Sequence, residues 1–376
     1  MTPSKRIPRT RPANDQRAND RRANDQRADV RTANEAQRRP VRISDVAAAA
    51  GVSKALVSYA LNGRPEVKDS TRAHIIEIAR TMGWTPSVRA RALSVSRAYA
   101  IGLVVQTSAE ALASDQYYMS LMAGLQSVLS PAHHSLVTEI VASTEAESRA
   151  YRQLARDGRV DGMVLVDLRH DDPRFALAQE AGLAYACLGW PPAPTTMPVL
   201  VYDESQAIAD AVKHLASFGH RRVAQVVGPQ SGAAARLRRE LYQKVLAEHD
   251  IDPSRWIESD YTAAGGRAAT AQILDDEPRP TAIIYSNDLM AAAGMGTAFS
   301  RGLRVPDDLS IVGWDDITLA EYLHPSLSTV TQHPFDDGRL AATLLLEAIA
   351  GREFDEPTWT PDPCFVPRAS SGPAPH

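Results

Sequence analysis

Apolar residues are spaced in two different ways along this chain. Between residues 41 and 84 they recur at helical intervals. Ile43, Val46, Ala47 and Ala50 stand at i, i+3, i+4 and i+7, the stripe of a short amphipathic helix. Gly51 follows where a tight helix-to-helix turn favours positive φ. Ser53 is placed to cap a second helix ending near Asn62, with Val57 and Leu61 on one side and Lys54, Ala55, Ser58, Tyr59 and Asn62 on the other. A third helix is predicted from about Ser70 to Met82, with Ile75, Ile78, Ala79 and Met82 as its stripe and Gly83 as its stop. Three short helices with a basic second one describe a helix-turn-helix domain.

Beyond Ser96 the pattern becomes apolar strands alternating with amphipathic helices, opening with strand Ile101–Val105 and helix Tyr118–Leu129. Further strands are predicted at Ser135–Ile140, Gly162–Val166, Ala184–Leu188, Val223–Val227, Ala282–Tyr285 and Leu309–Val312. This alternation means parallel sheet with crossover helices. The strands are too numerous for one small sheet, so two doubly wound lobes are expected, with a ligand cleft at the carboxyl ends of the strands. The expected fold is an all-α helix-turn-helix head followed by an α/β two-lobed domain.

Composition narrows the class. Hydrophobic residues make up 44% and charged residues 23% of the 376, and no apolar run approaches the length of a membrane span. The N-terminus is Arg-rich and lacks a secretory apolar stretch, and Cys187 and Cys364 lie far apart in sequence. A cytoplasmic protein with no disulfide framework, no cysteine metal site and no cofactor is expected. The net charge of −4 conceals an asymmetry. Residues 1–40 carry eleven basic and five acidic side chains and residues 41–97 carry nine and four, which leaves twenty-one basic against thirty-six acidic beyond them. A basic head on an acidic body suggests a polyanion held at one end; a solvated charged surface is the alternative. Residues 10–39 repeat near-copies of RPANDQ with hardly an aliphatic residue, so residues 1–40 are expected to be a disordered basic tail.

Five landmarks in order then carry a resemblance: DVAAAAGVSKALVSYALNG, PSVRARALSVSRAYAIGLVV, GPQSGAAARLRR, SNDLMAAAGM and SIVGWDDITLAEYLHPSLSTVTQ. From about Val41 to Pro367 the chain resembles the lactose-repressor family of bacterial regulators, whose two lobes are similar to periplasmic sugar-binding proteins. The resemblance implies a helix-turn-helix domain over 41–86, a hinge helix and linker over 87–97, and an effector-binding and dimerisation domain over 98–368 with crossovers near 202 and 331. Residues 369–376 are expected to be a second disordered tail.

By the family's motif, base-reading positions fall on Lys54, Ala55 and Tyr59, suited to guanine N7 and O6, a thymine methyl and a base edge. Ser53, Ser58 and Asn62 match phosphate contacts. Tyr59 is otherwise a rim residue, and Ser53 an N-cap, a role compatible with phosphate contact. Where the family starts helices one and three with Ser or Thr, this chain places Arg42 and Lys68; Ser44 and Asp69 are the expected substitutes. The segment from Ser87 to Leu93 is too short to be helical alone in water. In the family this segment pairs with its copy in the minor groove, Leu93 matching the leucine wedged between base pairs, Ala90 the helix–helix contact and Arg91 a groove contact.

Ligand contacts transfer likewise. Arg238 matches an arginine that reaches into the cleft, Asp315 an acidic acceptor from the second lobe and Asn287 a donor and acceptor. Tyr117 and Tyr118 stand where the family presents an aromatic ring. Arg238 and Asp315 forming a structural ion pair is the alternative. Trp190, beside the cleft, suggests stacking; Asp167 faces the ligand or caps a loop; Gln332, near a crossover between lobes, touches the ligand or only the backbone. The expected function is a transcription regulator, a repressor, binding a pseudo-palindromic operator as a homodimer under control of a small molecule, most simply a carbohydrate. A purine or nucleoside effector is the alternative, and a solute-binding protein a distant one, since that class needs a signal peptide and no DNA-reading head. Without a Gly-rich phosphate loop, a G-x-S-x-G elbow or a His/carboxylate metal motif, no enzyme is expected.

Overall fold

The computed structural model describes residues 41–61, 64, 66–84, 97–253 and 255–375. The expected tail 1–40, Asn62, and the hinge positions Ala90, Arg91 and Leu93 lie outside the described residues. The described chain divides into a head and a larger unit beginning at Ser96.

The head holds α1 (Ile43–Ala50), α2 (Lys54–Leu61) and α3 (Asp69–Thr81). Val46, Ala47, Val57, Ala60, Val67, Ile75 and Ala79 are its buried core, which is the apolar stripe of each helix turned inward. Gly51 closes α1 at φ 66°, a left-handed conformation that glycine adopts without Cβ strain. The substitutes expected for the missing caps act differently. At α1 the residue that reaches back is Asp45, whose carboxylate accepts the Arg42 N–H at 2.8 Å, one half of a capping box. At α3 no side chain caps Lys68. Asp69 instead pairs with Arg72 at 2.9 Å, and Arg72 donates to the carbonyls of Arg64 and Val67, tying the preceding loop to the helix.

In the larger unit, β1 (Ala100–Gln106), α4 (Ala109–Ser114), α5 (Gln116–Leu129), β2 (Ser135–Val141), α6 (Thr144–Arg156), β3 (Gly162–Leu165), α7 (Pro173–Glu180), β4 (Ala184–Leu188) and β5 (Val199–Val201) build the first lobe. The second follows with α8 (Ser205–Ser217), β6 (Val223–Val227), α9 (Ala233–Glu248), β7 (Trp256–Glu258), α10 (Ala263–Leu274), β8 (Ala282–Tyr285), α11 (Asp288–Ser300), β9 (Ser310–Val312), α12 (Thr318–Tyr322) and β10 (Thr329–Val330). The chain then returns through α13 (Pro334–Ile349) and β11 (Thr358–Trp359) to the first lobe, and β12 (Phe365–Val366) pairs antiparallel with β10 of the second. The first sheet has strand order β11-β5-β4-β3-β1-β2 and the second β7-β6-β8-β9, every neighbour parallel. Each lobe is covered on both sheet faces by helices, giving paired clusters of buried aliphatic side chains.

Besides the crossovers expected near 202 and 331, a third passes between β11 and β12. These two-residue strands carry too little alternation to be read from sequence. The return helix packs tightly: a Cβ on Gly124 of α5 would stand 2.0 Å from the Phe335 carbonyl oxygen, and one on Gly338 of α13 2.3 Å from that of Leu121. Only glycine permits that approach.

The expected disordered tail at 369–376 is corrected by the structure over the residues it describes. Ser370 is fully buried; its N–H donates to the Ser326 carbonyl at 2.9 Å and its carbonyl accepts the Ile311 N–H at 2.8 Å. His220, also fully buried, lies 3.0 Å through Nε2 from the Gly372 carbonyl oxygen. The terminal segment extends the hydrogen bonding of β9, a role that its small, polar, proline-rich composition does not announce.

Candidate functional site

Two sites were expected, one on each unit. On the head, Ser53 accepts the Leu56 N–H at 3.2 Å, so it caps α2 as the alternative reading held. Lys54, Ala55 and Tyr59 are exposed along α2, opposite the buried Val57 and Ala60, and Ser58 is half-buried beside them. The Arg64 guanidinium lies 5.8 Å over the Tyr59 ring, which adds a cation next to the exposed face. A capped helix N-terminus flanked by a lysine and an accessible tyrosine presents an exposed face of hydrogen-bond donors, a surface chemically suited to phosphate and base edges.

The second site lies where the two lobes meet. Tyr118, at the start of α5, donates its hydroxyl to the Asp167 carboxylate at the carboxyl end of the β3 segment. Burial, and then the Asp167 charge, push the Tyr118 hydroxyl well above its usual range, so it remains a donor. Asp115 caps α5 by accepting the N–H of Tyr117 at 2.9 Å, and burial raises its carboxyl to about 6. From the other lobe, Asp315 follows β9 at φ 111° and accepts Gln332 Nε2 at 2.9 Å. Burial, then the carboxylates of Asp288 and Asp115, drive Asp315 well above the usual carboxylate range against the pull of Arg238. Asn287 caps α11 through its Oδ1 and donates Nδ2 to the Tyr261 carbonyl at 3.0 Å.

Arg238 departs from expectation. Its guanidinium does not stand free in the cleft, nor does it pair with Asp315. Nε and Nη2 donate to Glu204 at 2.9 and 2.5 Å, and the guanidinium stacks 3.9 Å over the Trp314 ring. Burial opposes its charge, but Glu204 outweighs that and holds it protonated. A buried cation needs such a partner; Nη1 is left without a hydrogen bond among the described residues. Sequence reasoning missed Glu204, Trp314, Tyr202 and Tyr261. The one available signal was that a buried arginine demands a carboxylate, and Glu204 stands just past the first crossover.

The lobes touch on both sides of this constellation. Gln116 Nε2 donates to Thr318 Oγ1 at 3.0 Å, and the Ala233 N–H donates to the Leu168 carbonyl at 2.7 Å. A cavity of about 240 Å³ between them is lined by Tyr117, Asp315 and Gln332, together with Gln116, Ile317 and His333. Tyr118, Asp167, Arg238, Asn287 and Trp190 do not line it. Trp190 sits farther out, more than half exposed. A larger cavity, about 1140 Å³, lies at the amino ends of the first sheet's strands beside Phe175, Tyr185 and Phe354 and contains none of the expected residues. Among the described residues no helix is long and apolar enough to cross a membrane.

Comparison with known proteins places the head and the larger unit in one family. Residues 42–87 match the bacterial regulatory proteins of the lacI family, and residues 212–371 match the periplasmic binding protein-like domain. The HTH-type transcriptional regulator CelR of Thermobifida fusca is 32% identical over 334 residues, spanning 86% of this chain and 95% of that protein. A solved CelR–cellobiose complex is similar at 30% identity, with TM-score 0.67 over 88% of this chain and all of that one. The lac repressor dimer bound to operator and the anti-inducer ONPF aligns at TM-score 0.74 and 27% identity, covering 89% of this chain and all of that one. With a helix-turn-helix head and a cleft between two lobes carried by one polypeptide, the chain belongs to the lacI family of bacterial regulatory proteins and is a DNA-binding transcription regulator.

Proposed function

We propose that the protein is a repressor that binds a pseudo-palindromic operator as a homodimer and changes its operator affinity when a carbohydrate enters the cleft. The observation that carries the effector half is the convergence, between two lobes already in contact, of phenol, carboxyl and carboxamide groups from Tyr117, Asp315, Gln332 and Gln116 around one cavity. Such a set of donors and acceptors, beside the aromatic ring of Tyr117, suits a polyhydroxylated ring with one apolar face. The cellobiose held by the solved CelR complex supports the same class. Ligand that favours the closed arrangement biases a two-state element, and the head's DNA affinity is linked to that bias. In this reading the segment from Ser87 to Leu93 is the link, with Leu93 as the wedge in the minor groove.

The test is a gel-shift titration of the full-length chain on the DNA upstream of its own gene, with and without a panel of mono- and disaccharides. A specific shift whose midpoint moves at least about tenfold, near 1.4 kcal/mol, with one sugar is expected. A shift indifferent to every sugar refutes the effector class, and no specific shift refutes the operator assignment.

A further inference from the structure

We propose that Trp190 and Trp359 form a second carbohydrate subsite at the rim of the cleft, so that the effector is a saccharide of at least two pyranose rings; this rests on the carbohydrate reading above. Trp190 is 56% and Trp359 60% exposed, and their rings meet edge to face with centroids 6.1 Å apart and planes at 74°. Leaving two adjacent indoles in water forgoes much apolar burial, and paired exposed aromatics of this kind mark a place where something binds.

Their position ties them to the cleft. Trp190 leaves the carboxyl end of β4 through Gly189, whose N–H donates to the Leu200 carbonyl at 2.8 Å. A Cβ on Gly189 would lie 3.6 Å from the Leu168 side chain, and Leu168 is the residue whose carbonyl receives the Ala233 N–H from the opposite lobe. Trp190 therefore follows directly on a residue that packs against Leu168, itself a seam residue. Trp359 ends β11 opposite Val201, and Tyr202, the next residue along, feels the charges of Glu204, Arg238, Asp337 and Asp315. One strand end thus runs from the polar centre of the cleft to the indole pair.

Both indoles are held. Pro191 and Pro192 restrict the chain leaving Trp190, and the Thr360 N–H donates to the Val201 carbonyl at 2.8 Å behind Trp359. Two rings set edge to face form a corner with open apolar faces. The CH face of a pyranose packs on such a surface while its hydroxyls stay hydrated, and an indole set by its backbone loses little side-chain entropy on binding. A single ring seated beside Tyr117, Asp315 and Gln332 leaves this corner empty, whereas a linked second ring covers it.

The experiment is calorimetric titration of the full-length protein and of Trp359→Ala with glucose, cellobiose, cellotriose, maltose and maltotriose. The native protein is expected to bind one of the longer sugars at least about tenfold more tightly than glucose, and Trp359→Ala to reduce that advantage to about twofold or less, with Trp359→Tyr keeping most of it. Glucose bound as tightly as every longer sugar, or a length advantage that survives Trp359→Ala, overturns the second subsite while leaving the cleft a sugar sensor. Altered self-association in Trp359→Ala with the length advantage intact likewise overturns it and makes the pair a protein contact. Absence of binding by any of the five sugars removes this proposal, and the gel shift then decides separately whether the carbohydrate reading falls too.

Discussion

Glu204 is what makes Arg238 tolerable inside the larger unit. Both side chains are about nine-tenths buried, with only 8% of each exposed, and a guanidinium stranded there without its carboxylate costs far more than the pair gains over an apolar substitute. Glu204→Ala is therefore expected to destabilise this unit by about 3–5 kcal/mol in urea unfolding, and Glu204→Gln by less because one acceptor remains; equal stability of Glu204→Ala and the native protein would contradict the pairing. Asp288 gives a second test. Its carboxyl is buried at the first residue of α11, where it accepts Thr329 Oγ1 at 2.6 Å and the Ile317 N–H at 2.9 Å, and burial raises it to about 7. A folded pKa above the unfolded value means that the folded state holds the extra proton between about pH 4 and 7. Its contribution is complete below pH 4 and is lost as pH rises to about 7. Asp288→Asn is expected to flatten that decline by up to roughly 1.4 kcal/mol per pH unit, read by denaturant melts across the window; an unaltered slope would place the proton elsewhere. At this scale the sequence revealed residue types and motif positions but not pairings. It offered Asp315 as the carboxylate for Arg238, because proximity between segments far apart in sequence is not encoded in spacing. The partner that folding supplies, Glu204, sits in a segment with no motif of its own.

Among the elements, the helices of the head were legible because each is amphipathic with a clear stop, whereas their starts were not. Ser53 behaves as the predicted cap, but the first turn of α1 is served by Asp45 and that of α3 by no side chain. Ser53→Ala is expected to cost the head about 1 kcal/mol and, if the same N-terminus meets phosphate as proposed, to weaken operator binding as well; thermal melts of the head and anisotropy titrations on operator check the two effects, and lost stability with unchanged DNA affinity would leave Ser53 a cap alone. The long parallel strands were legible as apolar runs. The short ones at Val199–Val201, Trp256–Glu258, Thr329–Val330, Thr358–Trp359 and Phe365–Val366 were not, since two or three residues carry no period. That is why the third crossover and the packed C-terminal segment escaped notice. Removing residues 369–376 strips hydrogen bonds from Ile311, Ser326, Ser328 and His220. Such a truncation is expected to lower the melting temperature of the larger unit by several degrees, as a loss of about 1–2 kcal/mol does; an unchanged melt would show the segment to be dispensable.

Across the whole molecule, charge and cleft divide the labour. The head and the segments flanking it carry the basic excess and the larger unit the acidic one, so operator affinity is expected to fall steeply with salt as phosphate counterions are released, while affinity for an uncharged sugar changes little. The two-lobed architecture and the head were both readable from the change in hydrophobic period at Ser96, and the likeness to CelR and the lac repressor agrees with that reading. The central claim is that a ligand between the lobes and DNA at the head each alter the other's binding, and thermodynamic linkage requires the two effects to be equal. The most direct measurement is the dissociation constant of the effector sugar for the free protein and for the protein saturated with operator. These constants are expected to differ by the same factor by which that sugar shifts operator affinity. Identical sugar affinity with and without operator would contradict the claim.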